Sequence, residues 1–446
     1  MTLIANDTHT RRTSLLIKNV LLSFFIKGWS ALVVLVMVPL TLQCLGAYKN
    51  GVWLTISSML VWIDQMDIGL GNGLRNRLAT CKAHNDNNAS RQAVSSTMAM
   101  LVCIVIPTFL ILALIVWFGD VYTFLNVDPV IIPELRVALL CAVSIICCTF
   151  VLKFISNVYM GMQLPAVSNL IVALGQTLAL IGTWLLYING NATFLFIIAV
   201  NTAAPLLVYL VAYPYTFYIR FTELRPTWKS VNLRTALQLG NLGIKFFWLQ
   251  IAGIIQFMTA NILISQFFTP EMVTPYQIAY RYMSLVVVFF TVICMPFWNA
   301  TTDAYERGDM VWIEKAGKKM NTLTILIFLI LVLMTVFSPL VYDLWIGDKC
   351  DVSFAMTAMM ALYVFLLVLS MRYSYFLNGI GALRMQLYMT VSAIVLIPLA
   401  WLVSLLTHNI IWFMAVMCFC NLPGIIVNII QFNKILKGTA TGVWRR

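Results

Sequence analysis

Long apolar runs alternate with short polar segments along the whole chain of 446 residues. Each run is about 20 residues long, which is the length of an α-helix that crosses the hydrocarbon core of a bilayer. The runs are continuous, whereas the strands of a membrane β-barrel alternate between apolar and polar residues. We therefore predict an all-α polytopic membrane protein. Its twelve predicted spans are 20–43, 51–68, 93–118, 134–157, 166–188, 193–218, 241–268, 276–299, 321–346, 354–377, 386–406 and 410–431.

The pattern occurs twice along the chain, at an offset near 220 residues. The matches are 121–128 (VYTFLNVD) with 341–348 (VYDLWIGD), Asp86 with Asp309, and Gly161 with Gly379. Each half holds six spans, an even number, so both halves enter the membrane from the same side. Transporters built on such parallel repeats bind their substrate between two lobes. We predict an N-terminal lobe at 1–218, a cytoplasmic connector at 219–240 and a C-terminal lobe at 241–446.

Composition excludes a soluble protein. Hydrophobic residues make up 61% of the chain and charged residues only 10%, with a mean hydropathy of +0.92. Soluble domains carry about 25% charged residues. The loops between the predicted spans are too short to hold a soluble catalytic domain.

The net charge of +12 does not require a nucleic-acid partner. If the side that holds the N-terminus is the inside, twenty of the 28 Lys and Arg residues lie in inside segments. Two lie in outside loops and six within spans. This bias predicts that both termini are cytoplasmic, because basic residues are retained on that side of a membrane. We expect no nucleic-acid binding.

The stretch DQMDIGLGNGLRNRL, residues 64–78, suggests a nucleotide-binding loop at first sight. Such loops read G-x-G-x-x-G after a strand, whereas here G-x-G-x-G follows a membrane helix, so we do not expect nucleotide binding. Asp64 and Asp67 are three residues apart and therefore share a helix face. They are candidates either for ion coupling or for bracing the inner gate. Arg75 and Arg77 are expected to hold this end on the cytoplasmic side.

Six basic residues fall within spans, where ionisable groups are costly and usually face a cavity or a partner. They are Lys27, Arg136, Lys153, Lys245, Arg281 and Arg372. For those near a span end, the alternative is that the long side chain reaches out to the interface. Lys27 and Arg281 are predicted to lie deeper. All six except Arg136 are our candidates for a cationic substrate cavity, which suits an anion and above all a phosphate.

Other residue types offer little chemistry. The three histidines lie in loops or the N-terminal tail, and the cysteines form no CxxC pair, so we predict no metal site and no cofactor. A disulfide between Cys44 and Cys350 is an option left open. In the seventh span, Gln250, Gln256 and Asn261 either line a path for sugar hydroxyls or bond one helix to another.

The segment from Gly46 to Ala79 resembles the second-helix signature of the bacterial O-antigen flippases. These transporters belong to the multidrug/oligosaccharidyl-lipid/polysaccharide exporter (MOP) superfamily. The resembling residues are Gly46, Tyr48, Gly51, Val52, Trp53, Asp67, Gly69, Leu70, Gly71, Asn72, Gly73, Leu74, Arg75 and Asn76, with an LNG motif at Leu377, Asn378 and Gly379.

The resemblance implies a two-lobed transporter with a cationic central cavity in the bacterial inner membrane. It implies that an undecaprenyl-pyrophosphate-linked oligosaccharide moves from the cytoplasmic to the periplasmic leaflet by alternating access. Coupling to an H⁺ or Na⁺ gradient is expected. The O-antigen polymerase and the chain-length regulator are the expected protein partners, in lipopolysaccharide biosynthesis.

Three alternatives remain at this stage. A multidrug antiporter of the same superfamily would be expected to line its cavity with acids and aromatic residues. A flippase for another lipid-linked glycan would share the cationic cavity. A membrane-embedded glycan polymerase or ligase would carry a large outside loop, whereas the longest here, 119–133, has about fifteen residues. Because no acid/base or metal constellation is visible either, we expect a transporter and not an enzyme.

Overall fold

The computed structural model describes residues 2–64, 67, 69–238, 259–382, 384–389 and 391–445. All the regular secondary structure in these ranges is helical. The α-helices are α1 Thr2–Asp64, α2 Leu70–Ala83, α3 Asn87–Phe118, α4 Val121–Leu125, α5 Leu135–Leu152, α6 Phe154–Gly161, α7 Pro165–Ile188, α8 Phe194–Pro214, α9 Ala260–Phe267, α10 Pro270–Glu306, α11 Met310–Val336, α12 Ser338–Ile346, α13 Phe354–Ile380, α14 Arg384–Met389, α15 Val391–Thr407 and α16 Ile410–Leu436.

Ten stretches of the described chain are long and apolar enough to cross a membrane. The first, Leu22–Ile63, has 42 residues, about 63 Å of helix at 1.5 Å per residue. That length is twice the roughly 30 Å hydrocarbon core. Gly46 breaks it with φ 69° and ψ 173°, a conformation that residues with a side chain rarely adopt. The stretch is long enough for two crossings, and the prediction of an all-α polytopic membrane protein is confirmed.

The helix ends differ from the predicted spans in several places. The loop predicted at 44–50 is helical, because a single glycine kink replaces it. The span predicted at 321–346 ends instead at Val336, and a separate helix begins at Ser338 with Pro339 in its first turn, where proline lacks the N–H that would continue the preceding helix. The seventh predicted span lies largely outside the described residues. All ten cysteines are free thiols.

The described residues pack into two units. One holds 2–45 and 56–238, and the other holds 46–55 and 259–445. The predicted lobes differ from these units in two places, because 46–55 packs with the second half and the described connector packs with the first.

The segment 46–55 is bound to the second unit by hydrogen bonds. Thr274 Oγ1 donates to the carbonyl oxygen of Ala47 at 2.7 Å, and Asn261 Nδ2 donates to that of Leu54 at 3.1 Å. A side chain on Gly51 would collide with the backbone of Pro270. The glycine of the GVW motif therefore serves a close approach of two helices.

Both halves of the chain use the same type of helix cap, an aspartate preceded by a left-handed residue. Asp86 and Asp309 each cap the helix that follows, accepting a hydrogen bond at 2.9 Å from the backbone N–H three residues on. The residues before them, Asn85 and Gly308, are both left-handed, with φ 54° and 72°. Such capping satisfies N–H groups that have no partner within the helix. The sequence match at these positions thus has a structural cause.

The matched glycines Gly161 and Gly379 have the same packing role in the two halves. A Cβ on Gly161 would lie 3.0 Å from the carbonyl oxygen of Arg75, and one on Gly379 would lie 2.9 Å from that of Trp298. Both distances are tighter than ordinary contacts, so in each half a glycine lets two helices approach closely. Arg75 and Trp298 are separated by 223 residues, as are Asp86 and Asp309.

Basic residues collect at one end of the helices in each unit. In the first unit this end carries α2 and the segment 219–238, and in the second it carries 303–319 and 434–445. We call it the basic end of that unit. The sequence predicts that it is cytoplasmic.

Candidate functional site

Arg281 is placed near the middle of a membrane span. It lies eleven residues after Pro270, the start of α10, so its Cα is about 16 Å along the helix axis, close to the midplane of a core about 30 Å thick. The side chain is half-buried. Among the described residues, none accepts a hydrogen bond from its guanidinium. An arginine in this setting is free to bind an anion.

Arg372, on α13, has a different environment. Its side chain is only 7% exposed. Nη1 donates to Asn321 Oδ1 at 2.8 Å and Nη2 donates to the carbonyl oxygen of Gly317 at 3.1 Å. The guanidinium also lies 4.7 Å from the ring centroid of Tyr373. These contacts favour a role in holding α13 against α11.

The remaining cationic candidates are dispersed. Lys27 is half-buried on α1, 19 residues before Gly46, and therefore about 28 Å from the kink. That distance places it near the opposite membrane boundary and allows its amine to reach the interface. Lys153 is half-buried at the break between α5 and α6. Lys245 lies outside the described residues.

Arg136 caps a helix, and Lys153 has a counterpart in the second half of the chain. Arg136 donates to the carbonyl oxygens of Trp117 and Gly119, each at 3.1 Å. Carbonyl groups at the end of a helix such as α3 have no partner within the helix. Lys153 stands 219 residues before Arg372, so the two halves place a basic residue at matching points of their fourth span. Sequence reasoning missed this correspondence, although the offset of the repeat contains it.

Asp67 is engaged by the start of α2. Its Oδ1 accepts from the N–H of Gly69 and its Oδ2 from that of Gly71, both at 3.0 Å. A carboxylate that caps a helix in this way stabilises the helix N-terminus. These bonds tie Asp67 to the start of α2, and its two predicted roles, ion coupling and bracing the inner gate, stay predictions. Asp64 is the last residue of α1, and its side chain lies outside the described part of the chain.

The glycine-rich signature serves packing. Gly69 adopts the left-handed conformation at φ 71°, just before α2. Gly71 is buried, and a side chain there would collide with Asn157 of α6. Gly73 is also buried, whereas Asn72, Arg75 and Asn76 are exposed. The fully buried leucines of this helix are Leu70, Leu74 and Leu78. These residues follow helical spacing, so the motif makes α2 an amphipathic helix packed on its unit.

The amide of Asn261 bonds helix to helix. Besides its bond to Leu54, its Oδ1 accepts from Gln277 Nε2 at 2.6 Å. Gln277 lies one turn before Arg281 on the same face of α10. Sequence reasoning missed Gln277, because a lone glutamine in a span carries no pattern. Gln250 and Gln256 lie outside the described residues.

Comparison with solved structures decides the fold. The chain matches an inward-facing multidrug resistance MATE family transporter of the MOP superfamily with a TM-score of 0.73, covering 92% of this chain and 95% of that one at 14% identity. The fold is that of the MATE transporters. An outward-facing structure of such a transporter matches with a TM-score of 0.66 at 14% identity, covering 96% of each chain.

The same fold accommodates different pocket chemistry. A MOP superfamily transporter from Pyrococcus furiosus matches with a TM-score of 0.65 at 14% identity, covering 96% of both chains. Its binding pocket is described as having reverse polarity, which suggests a different function for that protein. The MATE fold alone therefore does not identify a substrate.

One curated relative connects the chain to polysaccharide transport. It is a protein of Salmonella typhimurium named "Putative O-antigen transporter", 22% identical over 283 residues. The match covers 63% of this chain and 62% of that protein, less than two thirds of its length. No protein-family model matches the chain. The relative and the fold both agree with the resemblance carried by residues 46–79.

Proposed function

We propose that this protein is a flippase of the bacterial inner membrane. Its substrate would be an undecaprenyl-pyrophosphate-linked O-antigen unit, moved from the cytoplasmic to the periplasmic leaflet by alternating access. The name of the Salmonella relative supports the substrate class, and the MATE fold supports transport. Coupling to an H⁺ or Na⁺ gradient belongs to the proposal, as do the polymerase and the chain-length regulator as partners.

Arg281 carries the proposal. A guanidinium near the bilayer midplane is costly unless an anion accompanies it, and no described residue supplies that anion. The pyrophosphate of a lipid-linked sugar would do so, because arginine binds phosphate oxygens through two parallel hydrogen bonds. The bonded geometry of Arg372 provides the contrast, since that arginine already has protein acceptors.

A multidrug antiporter is the second candidate, since solved transporters with this fold have that activity. Arg281 argues against it. A positive group at the centre of a span repels a cationic drug, and like-charge repulsion is an effective way of rejecting a substrate.

The experiment uses a strain that lacks every other flippase, with surface polysaccharide as the readout. Arg281→Gln should reduce export about tenfold or more, the effect of losing a charge-assisted hydrogen bond. Arg281→Lys should restore part of it. Arg384→Gln, an exposed residue at the basic end, is the matched control and should export normally. Membrane levels of all variants are measured by immunoblot.

Two outcomes would contradict the proposal. The first is full export by Arg281→Gln at normal membrane level. The second is lipid-linked units that still reach the periplasm when the gene is deleted in the same strain.

A further inference from the structure

The first unit contains a groove of about 840 Å³ that none of the predicted site residues lines. It runs between the end of α6, the first half of α7 and the last part of α8. The residues that line it are Tyr159, Leu164, Val167, Leu170, Ile171, Leu174, Leu178, Leu207, Val208, Val211, Ala212, Tyr215 and Arg220. Its size falls in the range of small-molecule sites, about 300–1,000 Å³.

The groove is apolar along its length and polar at one end only. From Leu164 to Leu178 it follows α7 for about 21 Å, more than half of the hydrocarbon core. The polar lining residues are Tyr159, Tyr215 and Arg220, all toward the basic end of the unit. No acidic residue belongs to the described lining. The groove therefore suits a long apolar chain whose head group is negative.

A local change of helix type brings Arg220 to the groove. Residues Tyr215–Arg220 form a π-helical turn after Pro214, with the N–H of Phe221 donating to the carbonyl oxygen of Thr216 at 2.8 Å. In a π-helix, residues five apart lie on one side, whereas in an α-helix they do not. Tyr215 and Arg220 consequently both line the groove. Such turns are rare and often mark functional positions.

The polar end of the groove already has an ordered tyrosine and an arginine that can meet an anion. Tyr159 is buried, and its hydroxyl forms a 3.0 Å hydrogen bond with Thr216 Oγ1. Arg220 is exposed, and its guanidinium makes no hydrogen bond or ion pair with another described residue. It lies 5.9 Å from the ring centroid of Phe221. An anion at this end thus meets a cation that forms no ion pair with a described acid.

We propose that the groove binds the polyprenyl chain of the substrate, with the pyrophosphate held at Arg220. This inference rests on the proposed function. It gives the pyrophosphate a second binding position, which the head group occupies at a different stage of transport from its contact with Arg281. A single groove with one basic residue at its end matches a lipid that has one chain and one charged head group. A phospholipid has two chains, and only one of them would fit in the groove.

The test measures lipid binding by the full-length protein in nanodiscs, with native mass spectrometry as the readout. The probes are undecaprenyl pyrophosphate without sugar and phosphatidylglycerol. Leu174→Trp fills the groove, and Val172→Trp is its control, because Val172 is similarly exposed on α7 but does not line the groove. Leu207→Trp and Leu210→Trp form a second pair on α8.

The groove-filling variants should weaken undecaprenyl pyrophosphate binding about tenfold, because a displaced apolar chain loses much of its buried surface. Arg220→Gln should weaken it to a similar degree, and Arg225→Gln, outside the groove, should not. Binding of phosphatidylglycerol should not change in any variant. Each variant is first checked for a monodisperse profile and an unchanged melting temperature.

Equal effects of Leu174→Trp and Val172→Trp would overturn the inference. So would phosphatidylglycerol competing as well as undecaprenyl pyrophosphate, which would make the groove a general lipid site. The assay involves no transport, so it is separable from the proposed function. If the probe binds in the groove but no oligosaccharide is exported, the groove stands and the flippase proposal fails. If export depends on Arg281 but filling the groove changes neither binding nor export, the flippase proposal stands and the groove proposal fails.

Discussion

At the scale of single residues, identical side chains within spans have different tasks. Arg372 is bonded to Asn321 and Gly317, whereas Arg281 has no described acceptor. Arg136 caps the end of α3. The sequence marks all three as costly charges in a membrane, but it does not show which of them already has a partner. That information lies in contacts between helices.

Asp67 offers a test of bracing against ion coupling. Each oxygen of the Asp67 carboxylate accepts one backbone hydrogen bond, so Asp67→Asn keeps one of the two acceptors at the helix start. Asparagine caps helices about as well as aspartate. We expect Asp67→Asn to export polysaccharide within about twofold of wild type, while Asp67→Ala loses about 1 kcal/mol of stability. Export and thermal unfolding in detergent are measured side by side. Loss of export in a stable Asp67→Asn variant would instead indicate ion coupling.

At the scale of elements, glycines and caps explain the repeat. Gly161 and Gly379 allow the ends of the fourth and tenth spans to pack closely against a neighbouring helix. Asp86 and Asp309 cap the helices of the third and ninth spans. These matches were visible in the sequence because caps and close-approach glycines use few residue types. The sequence did not show what each glycine approaches.

Two glycine substitutions should have opposite effects on stability. A Cβ on Gly379 would lie 2.9 Å from the backbone oxygen of Trp298, so Gly379→Ala should destabilise by about 1–3 kcal/mol through overpacking. A Cβ on Gly424 in α16 would lie 4.0 Å from its nearest neighbour, Cβ of Met389, so Gly424→Ala should be neutral or stabilise by about 0.5–1 kcal/mol. Melting temperatures of the purified variants measure both. The same sign for both would contradict this account of the close approach.

At the scale of the whole molecule, the orientation in the membrane is a prediction from the distribution of charge. Basic residues concentrate at one end of the helices in each unit, and such ends stay on the cytoplasmic side. The MATE fold itself leaves this orientation open. The direction of transport in the proposed function depends on it.

Reporter fusions test the orientation. Alkaline phosphatase fused to the C-terminus should be inactive, because the enzyme folds only in the periplasm, while a fluorescent protein at the same place should be bright. Phosphatase fused at Gly190, between α7 and α8, should be active, since five spans precede it. The inverse pattern at the two sites would reverse the topology.

The sequence by itself determined that the chain is a helical membrane protein, that its pattern repeats, and where its basic residues cluster. Each of these follows from local properties: the apolar length that a bilayer requires, the residue types that cap a helix, and the side of the membrane that retains lysine and arginine. The count of twelve spans stays a prediction, since the described residues hold ten candidate stretches. Only the tertiary structure decided that Arg372 is bonded while no described residue accepts a hydrogen bond from the guanidinium of Arg281. It also decided that 46–55 packs with the second unit and that Arg220 ends an apolar groove. These features arise where residues far apart in sequence meet, or where one turn of helix changes type. Neither kind of feature produces a repeating pattern of residues that could be recognised in the sequence.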